Sequence, residues 1–369
     1  MPNYIIDQGD FHMLTKRKKI AVAISALMIP IASSAGDLNI YGSVGAAVES
    51  LDNGTKTTTN VSDNHSALGL EGSTDVGNNM KGVFHYDVFV DIDGGGGNTS
   101  SGFNGSLFGG GRDGWVGLKG DSWGTVALGF QGRPWKTSTA HLDVFEGTIA
   151  DYSAIMGSTG DSSTYFDGGI GSSIIWFAPR VNGISGQLQF GADEADNSSN
   201  DWGAQINYQN GPLYLSLSND EDGRASPASS VTATKAAASY TFMGNLTATA
   251  IFETISDSPV NSRNAWYIAG TYQINNATAI KAAFAMADDL DSGNNTGANY
   301  AAVGVSHKLN QDLEVFALYS ALNNDSNATY TFITSPHTST NPNTAISGPG
   351  KDSSVFAAGI KYNFSNKIM

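Results

Sequence analysis

Cysteine is absent from the 369 residues, so no disulfide staples this chain and no thiolate is available for metal or redox chemistry. Charge is scarce at 14% of residues, and basic charge scarcer still, with 19 Lys and Arg against 34 Asp and Glu. A formal net charge of −15 argues against nucleic acid as a partner. Long apolar runs are missing too, and a mean hydropathy of −0.18 is too polar for a bundle of membrane helices. Length alone allows two or three ordinary domains, but β-barrels use more than 200 residues as one.

The one apolar run, "IAVAISALMIPIASSAG", follows Lys16, Arg17, Lys18 and Lys19 directly. A basic segment, a short apolar stretch, Pro30, and small Ser33 and Ala35 before a cut have the form of a secretory signal over residues 1–35. The run is shorter than the ~20 residues that a spanning helix needs. Residues 1–12 precede Met13, a more natural start. Removing residues 1–35 takes away four basic and two acidic side chains and leaves a charge of about −17.

What is present in quantity is alternation. In "GPLYLSLSND", Leu213, Leu215 and Leu217 share one side of an extended chain while Tyr214, Ser216 and Ser218 share the other. The same texture predicts sixteen strands, near 38–50, 65–72, 80–92, 112–120, 124–131, 164–178, 184–193, 201–209, 212–219, 234–243, 245–255, 264–274, 277–288, 299–309, 312–321 and 354–364. Tight links such as "QNG", "MGN", "INN" and "LNQ", whose Asn and Gly would supply positive φ, take turns with long polar stretches, among them 92–111, 132–163 and 322–353. Strict alternation of short turns and long loops describes an all-β transmembrane barrel with aliphatic residues facing lipid.

Charge placement agrees with that reading. Lys81, Asp87, Asp91, Lys235, Glu253, Lys281, Glu314 and Lys361 all fall on the parity opposite the aliphatic residues of their strands. A Lys on the lipid face would cost roughly 2–4 kcal/mol at the midplane. Ala279, Ala283, Ala285 and Ala287 share the polar parity, which predicts an open lumen there. In "RDGWVGLKG" the aliphatic residues share a parity with Arg112, so either a glycine bulge shifts the phase or that wall faces protein. Trp202 with Tyr208, and Trp266 with Tyr272, lie six residues apart and would mark two aromatic girdles.

Over essentially the whole chain after residue 35, the sequence resembles the general diffusion porins of Gram-negative bacteria. "LNIYGSVGAAVES" looks like the first porin strand, and "SALGLEGSTDVGNNMKGVFHYD" is similar to the second hairpin. "GRDGWVGLKGDSWGTVALGFQ" resembles the fourth and fifth strands, and "SSVFAAGIKYNF" the closing one. The resemblance implies a 16-stranded antiparallel barrel, a homotrimer in outer-membrane lipid and lipopolysaccharide, and a third loop folded into the lumen as a constriction. Residues 132–163 stand where that loop belongs, with Asp143, Glu146 and Asp151 as its acids.

The chain departs from the family at its early basic positions, where Ser43, Ala67 and Phe130 stand. Arg112 and Lys81 remain, with Arg133 as a further contributor to the basic half of the pore. The resemblance makes Tyr362 and Phe364 of the closing strand a signal for the barrel-assembly machinery, although "SNKIM" follows Phe364. The implied function is passive diffusion of small hydrophilic solutes and ions, mildly preferring cations, with no cofactor.

Rival readings are a solute-specific channel, a barrel enzyme and a secreted all-β adhesin. No G-x-S-x-G elbow occurs, and the histidines at 12, 65, 85, 141, 307 and 337 have no H-x-x-x-H spacing. "DIDGGGGNTS" offers Asp91 and Asp93 as calcium ligands but lacks the regular spacing, and "GGGGRDGW" lacks the Lys-Ser/Thr ending of a phosphate loop.

Overall fold

The computed structural model describes residues 36–93, 108–160, 166–194, 199–226, 229–257, 262–332 and 348–367. The expected signal segment 1–35, most of the glycine-rich loop after Asp93, and residues 161–165 of the third loop lie outside them.

The described chain forms seventeen strand segments in one sheet. They are β1 (Asp37–Asp52), β2 (Thr57–Asp63), β3 (Ala67–Gly77), β4 (Met80–Val90), β5 (Phe108–Gly120), β6 (Gly124–Gly132), β7 (Gly169–Val181), β8 (Ile184–Gly191), β9 (Asp201–Asn210), β10 (Leu213–Ser226), β11 (Ser229–Phe242), β12 (Leu246–Asp257), β13 (Arg263–Gln273), β14 (Thr278–Ala287), β15 (Ala298–Lys308), β16 (Leu313–Asn324) and β17 (Ser353–Lys367). β2 and β3 both pair with β1, at Ala46↔Asp63 and then Ser43↔Ala67, so they are two halves of one stave. Sixteen antiparallel staves result, and β17 pairs with β1 from Asn39↔Lys367 to Asp52↔Ser354 to close the ring. Closure leaves no sheet edge to be satisfied in hydrocarbon.

Alternation sorts the side chains as expected. Leu215 and Leu217 are 41% and 52% exposed on the outer surface, with Val116, Leu128, Ile268, Phe284 and Phe356 similarly placed. Ser216 and Ser218, between those leucines, are 8% and 2% exposed and lie beneath the inserted loop, Ser218 within 3.3 Å of Ser138. Trp202, Trp266 and Tyr272 face outward, and Tyr208 is half-buried. The irregular fifth strand is explained by a bulge: Asp87 opposes Asp113 and Val88 opposes Gly111, which leaves Arg112 as the extra residue and turns Val116 and Leu118 outward.

Two expectations need correction. The ninth and tenth staves run much further than predicted, to Ser226 and from Ser229: "NDEDGRAS" is polar on both faces, whereas Val231 and Ala233 alternate with Thr232 and Thr234, and the ladder pairs Asn219 with Thr234 and Glu221 with Thr232. The second stave likewise begins at Thr57, inside the stretch expected to be a loop. The short turns also differ among themselves. Asn78, Asn79 and Gly211 do take positive φ, but "INN" and "LNQ" turn through their side chains, Asn275 and Asn310 each accepting two backbone N–H groups.

Leu217 faces outward within the apolar band of β10. Leu217→Lys is expected to lower folding stability in lipid by about 2–4 kcal/mol, whereas a lysine near a strand end costs about 1 or less. Urea titration of reconstituted protein, followed by tryptophan fluorescence, measures the difference.

A candidate pore constriction

Between β6 and β7 the chain enters the barrel. It makes a single helical turn at Pro134–Thr137 and 3-10 turns at Ala140–Leu142 and Tyr152–Ala154. Trp135, Phe145, Ile149, Ile155 and Met156 of this loop are buried against lumen-facing Ala237, Ala269, Ala283, Ala285, Ala287 and Ala302. Burial of each large side chain stabilises the loop by roughly 1.5–3 kcal/mol. Three of the four alanines expected to line open water, Ala283, Ala285 and Ala287, are therefore part of the floor of a dry interface: small side chains on the wall leave room for the loop's large ones.

Directed bonds fix the loop's position. Trp135 N donates to Asp220 at 2.7 Å, Tyr214 donates to the Ser138 carbonyl at 2.6 Å, and Tyr300 donates to the Ala150 carbonyl. At the far limb, Arg263 on β13 pairs with Glu253 on β12 at 2.9 Å and donates to the carbonyls of Ser158 and Ile155, while Glu253 accepts the Gly157 N–H at 2.8 Å. Gly157 has φ +80° and packs directly on the Trp135 ring, where an added Cβ would lie 2.7 Å from ring carbon. The Lys235 ammonium sits over the other end of this assembly, 3.0 Å from the Trp135 ring centroid. The chain after β16 also packs on the loop, with Thr329 donating to the Gly160 carbonyl.

The predicted site residues separate into three groups. Asp143 and Asp151 are buried inside the loop. Asp143 accepts from Phe145 N, Tyr152 N and the Tyr267 hydroxyl at 2.9–3.0 Å; Asp151 accepts from Ser153 and Gly147. Burial pushes both carboxyls above the usual range, against the pull of these bonds. Arg133 is likewise buried, bonded to Asp222 at 2.8 Å with Asp201 at 3.6 Å. It ties the base of the loop to the wall.

Glu146 is the loop acid whose side chain stands exposed in the lumen. It lines a gap of about 270 Å³ together with Thr148 and, from the wall, Lys281, Glu314, Lys361 and Asn363. Partial desolvation in this gap, then the nearby Asp151, hold the Glu146 carboxyl above its ordinary range, while Lys361 and Arg112 act the other way. The basic side of the gap therefore comes from β14 and β17, not from the early strands. Lys281 and Lys361 carried the signal in their parity, but nothing local in sequence says which lumen positions the loop will approach.

Arg112 lies further along the wall, 3.7 Å from Asp87 and over the Phe89 ring. Lys81 stands one residue from the Asn78–Asn79 turn, opposite Asp75 and Lys119 and away from the gap. Asp93 accepts the Asp63 N–H at 3.0 Å, and the described residues contain no group of three or more His, Cys, Asp or Glu placed to hold a metal. Tyr362 faces outward and Phe364 packs over Gly42; Ser365 to Lys367 extend the closing ladder, ending with Lys367 on Asp37 at 2.7 Å.

A closed sixteen-stave barrel with its third loop packed inside now has a counterpart in sequence: the family model described as Gram-negative porin matches residues 21–327. The chain belongs to the Gram-negative porin family. Among curated relatives, this porin is 26% identical over 218 residues to the major outer membrane protein P.IB of Neisseria meningitidis serogroup B, covering 54% of this chain and 57% of that one. It is 24% identical over 212 residues to the protein of the same name from Neisseria gonorrhoeae, covering 53% and 55%. The chain thus spans about half the length of the curated relatives it matches. Among solved structures, the anion-selective porin from Comamonas acidovorans superposes with a TM-score of 0.69 at 18% identity, covering 89% of this chain and all of that one. The trimer form of in-vitro folded OmpT of Vibrio cholerae gives 0.61 at 16%, with the same coverage. These likenesses carry the fold, and family membership places the porin in the bacterial outer membrane.

Arg263→Ala leaves Glu253 buried beside the loop without its cation and is expected to cost about 3–5 kcal/mol. Tyr267→Phe removes one hydroxyl from Asp143 and is expected to cost about 1–3 kcal/mol. In single-channel recordings the first should give unsteady, flickering currents and the second a nearly normal open level.

Proposed function

We propose that this porin forms a water-filled channel through which small hydrophilic solutes and ions diffuse passively, with a mild preference for cations. The observation that carries the reading is the gap itself. The inserted loop leaves a gap bordered by Glu146 on the loop and by Lys281, Glu314 and Lys361 on the wall. Charges lining so confined a space act on passing ions, since the Debye length is about 10 Å at 0.1 M salt. The glutamates and lysines at the gap balance, so the mild preference is read from the acidic excess of the chain, 34 Asp and Glu against 19 Lys and Arg, through those charges that lie within a Debye length of the passage. The Comamonas neighbour is titled anion-selective, but at 18% identity the likeness extends to the fold, not to the charges at the gap.

The family is one of channels, which leaves the enzyme and adhesin readings without support. Assembly as a homotrimer fits the trimer form of the Vibrio neighbour. Lipopolysaccharide and outer-membrane lipid would meet the apolar outer surface, and Tyr362, exposed on the outer face of β17, with Phe364 two residues on, supports reading that strand as the signal to the assembly machinery.

The test is a planar bilayer with a salt gradient. Wild type is expected to show a reversal potential of the sign for cations, and three-step closure would support three pores per unit. Lys361→Glu should raise the cation-to-anion permeability ratio, by about twofold or more. Acidification works in the opposite direction: as pH falls through the raised range of Glu146, its negative charge is lost while the lysines keep theirs, so the preference moves toward anions. Anion preference in wild type at neutral pH overturns the selectivity, and absence of conductance overturns the channel.

A further inference from the structure

The inserted loop covers the lumen wall from β8 round to β16, and the short-turn half of the wall from β17 through β1 to β7 carries a different surface. A row of rings crosses it. Tyr41 on β1, His85 on β4, Trp115 on β5 and Phe177 on β7 follow one another with centroid separations of 6.0, 5.4 and 5.4 Å. Tyr41 lies flat on the wall, its ring directly over Gly69, where an added Cβ would fall 2.1 Å from ring carbon. One face of that ring is against backbone and the other is turned to the lumen. The Tyr41 hydroxyl reaches His85 Nε2 at 3.2 Å, and the Trp115 indole N–H donates to Gln131 at 2.8 Å, so these rings are held in place by polar partners.

Two of these rings, His85 and Trp115, border a recess of about 620 Å³ that Asn39, Glu71, Lys119, Thr125 and the Asp37–Lys367 pair also line. Its volume is in the range of small-molecule sites, and it sets ring surface beside side chains that donate and accept hydrogen bonds. The polar rim mixes signs. Glu71 accepts, already from Asn39 at 3.0 Å, whereas Lys119 only donates. An anion would meet Glu71 and a cation would meet Lys119, but a hydroxyl donates and accepts and suits both.

We propose that this recess is a binding subsite for neutral sugars, a pyranose lying against the Trp115 and His85 rings and its hydroxyls bonding to Glu71 and Lys119. The inference deepens the channel reading and rests on it, because sugar would reach the recess through the pore. Binding is weak, since a permeating solute must leave as readily as it arrives.

The experiment uses the full-length porin in planar bilayers with maltotriose as the probe and a polyethylene glycol of similar mass as the size control. Maltotriose is expected to reduce the open-channel current saturably, with a half-effect at about millimolar concentration, while the glycol reduces it without saturating. Trp115→Ala and His85→Ala should each raise the half-effect concentration by about fivefold or more, and Trp115→Phe, which keeps a ring, by less than about twofold. Heat-modifiable electrophoretic mobility checks that each variant folds. A current reduction linear in maltotriose, or one that neither ring variant changes, overturns the subsite. So does benzoate saturating at lower concentration than the sugar, which would make it a site for aromatic acids. If wild type passes no current, the channel reading fails; quenching of tryptophan fluorescence by maltotriose in detergent then reads the subsite by itself, and its absence there overturns the subsite too.

Discussion

The dry contact between residues 133–160 and the small lumen-facing side chains of β11 to β15 is the constraint from which the rest of this porin follows. A sixteen-stave ring is too wide for its own side chains to fill. Something must reduce the bore without closing it, and a loop can do so only if it holds one wall firmly. Trp135, Phe145, Ile149, Ile155 and Met156 supply the apolar surface, and Ala237, Ala283, Ala285 and Ala287 supply the flat floor. The loop is thereby pressed to one side, and the lumen's remaining space lies on the other.

Polar anchors give that contact a fixed position. Hydrophobic burial is non-directional and would let the loop slide along a smooth wall of alanines. Asp220, Tyr214, Tyr300 and the Glu253–Arg263 pair each bond to a backbone group of the loop, and they are spread over β10, β12, β13 and β15. Asp143 and Asp151, inside the loop, do the same for its own turns. Glu146 is thus presented to the gap by a frame in which Asp143 and Asp151 are already occupied. The selectivity of the pore depends on which charges are left over as much as on how many the chain contains.

The barrel was legible in sequence because each of its determinants is local: alternation at period two, tight links in every second connector, and lysines kept off the aliphatic parity. Sixteen staves were read in their observed order, but their bounds failed where polar residues continue the ladder, in the second stave, which begins at Thr57 inside the stretch read as a loop, and in β10 and β11. The site was legible in outline alone. The loop's position between the fifth and sixth staves and its acids were apparent from the resemblance, yet Asp143 and Arg133 look the same in sequence as Glu146. What distinguishes them is the partner each finds from far away in the chain, Tyr267 for Asp143 and Asp222 for Arg133. Lys281 and Lys361 were visible as lumen residues but not as pore residues, for the same reason.

The two halves of the lumen wall show how one alternating pattern supports two surfaces. Where the loop lies, the inward positions are small, and their backbone carries the loop's large groups. Where the loop is absent, the inward positions are Tyr41, His85, Trp115 and Phe177 with Glu71 and Lys119 between them. Gly69 belongs to this second half, yet it has the same office as the alanines of the first: it removes side-chain volume so that a large ring can lie flat. In both halves a large group is matched to a small residue one stave away, loop against wall in one case and wall against wall in the other. The bore is therefore set by where bulk is placed around the ring, and a single substitution of a small residue by a large one would act on the pore through the neighbour it displaces.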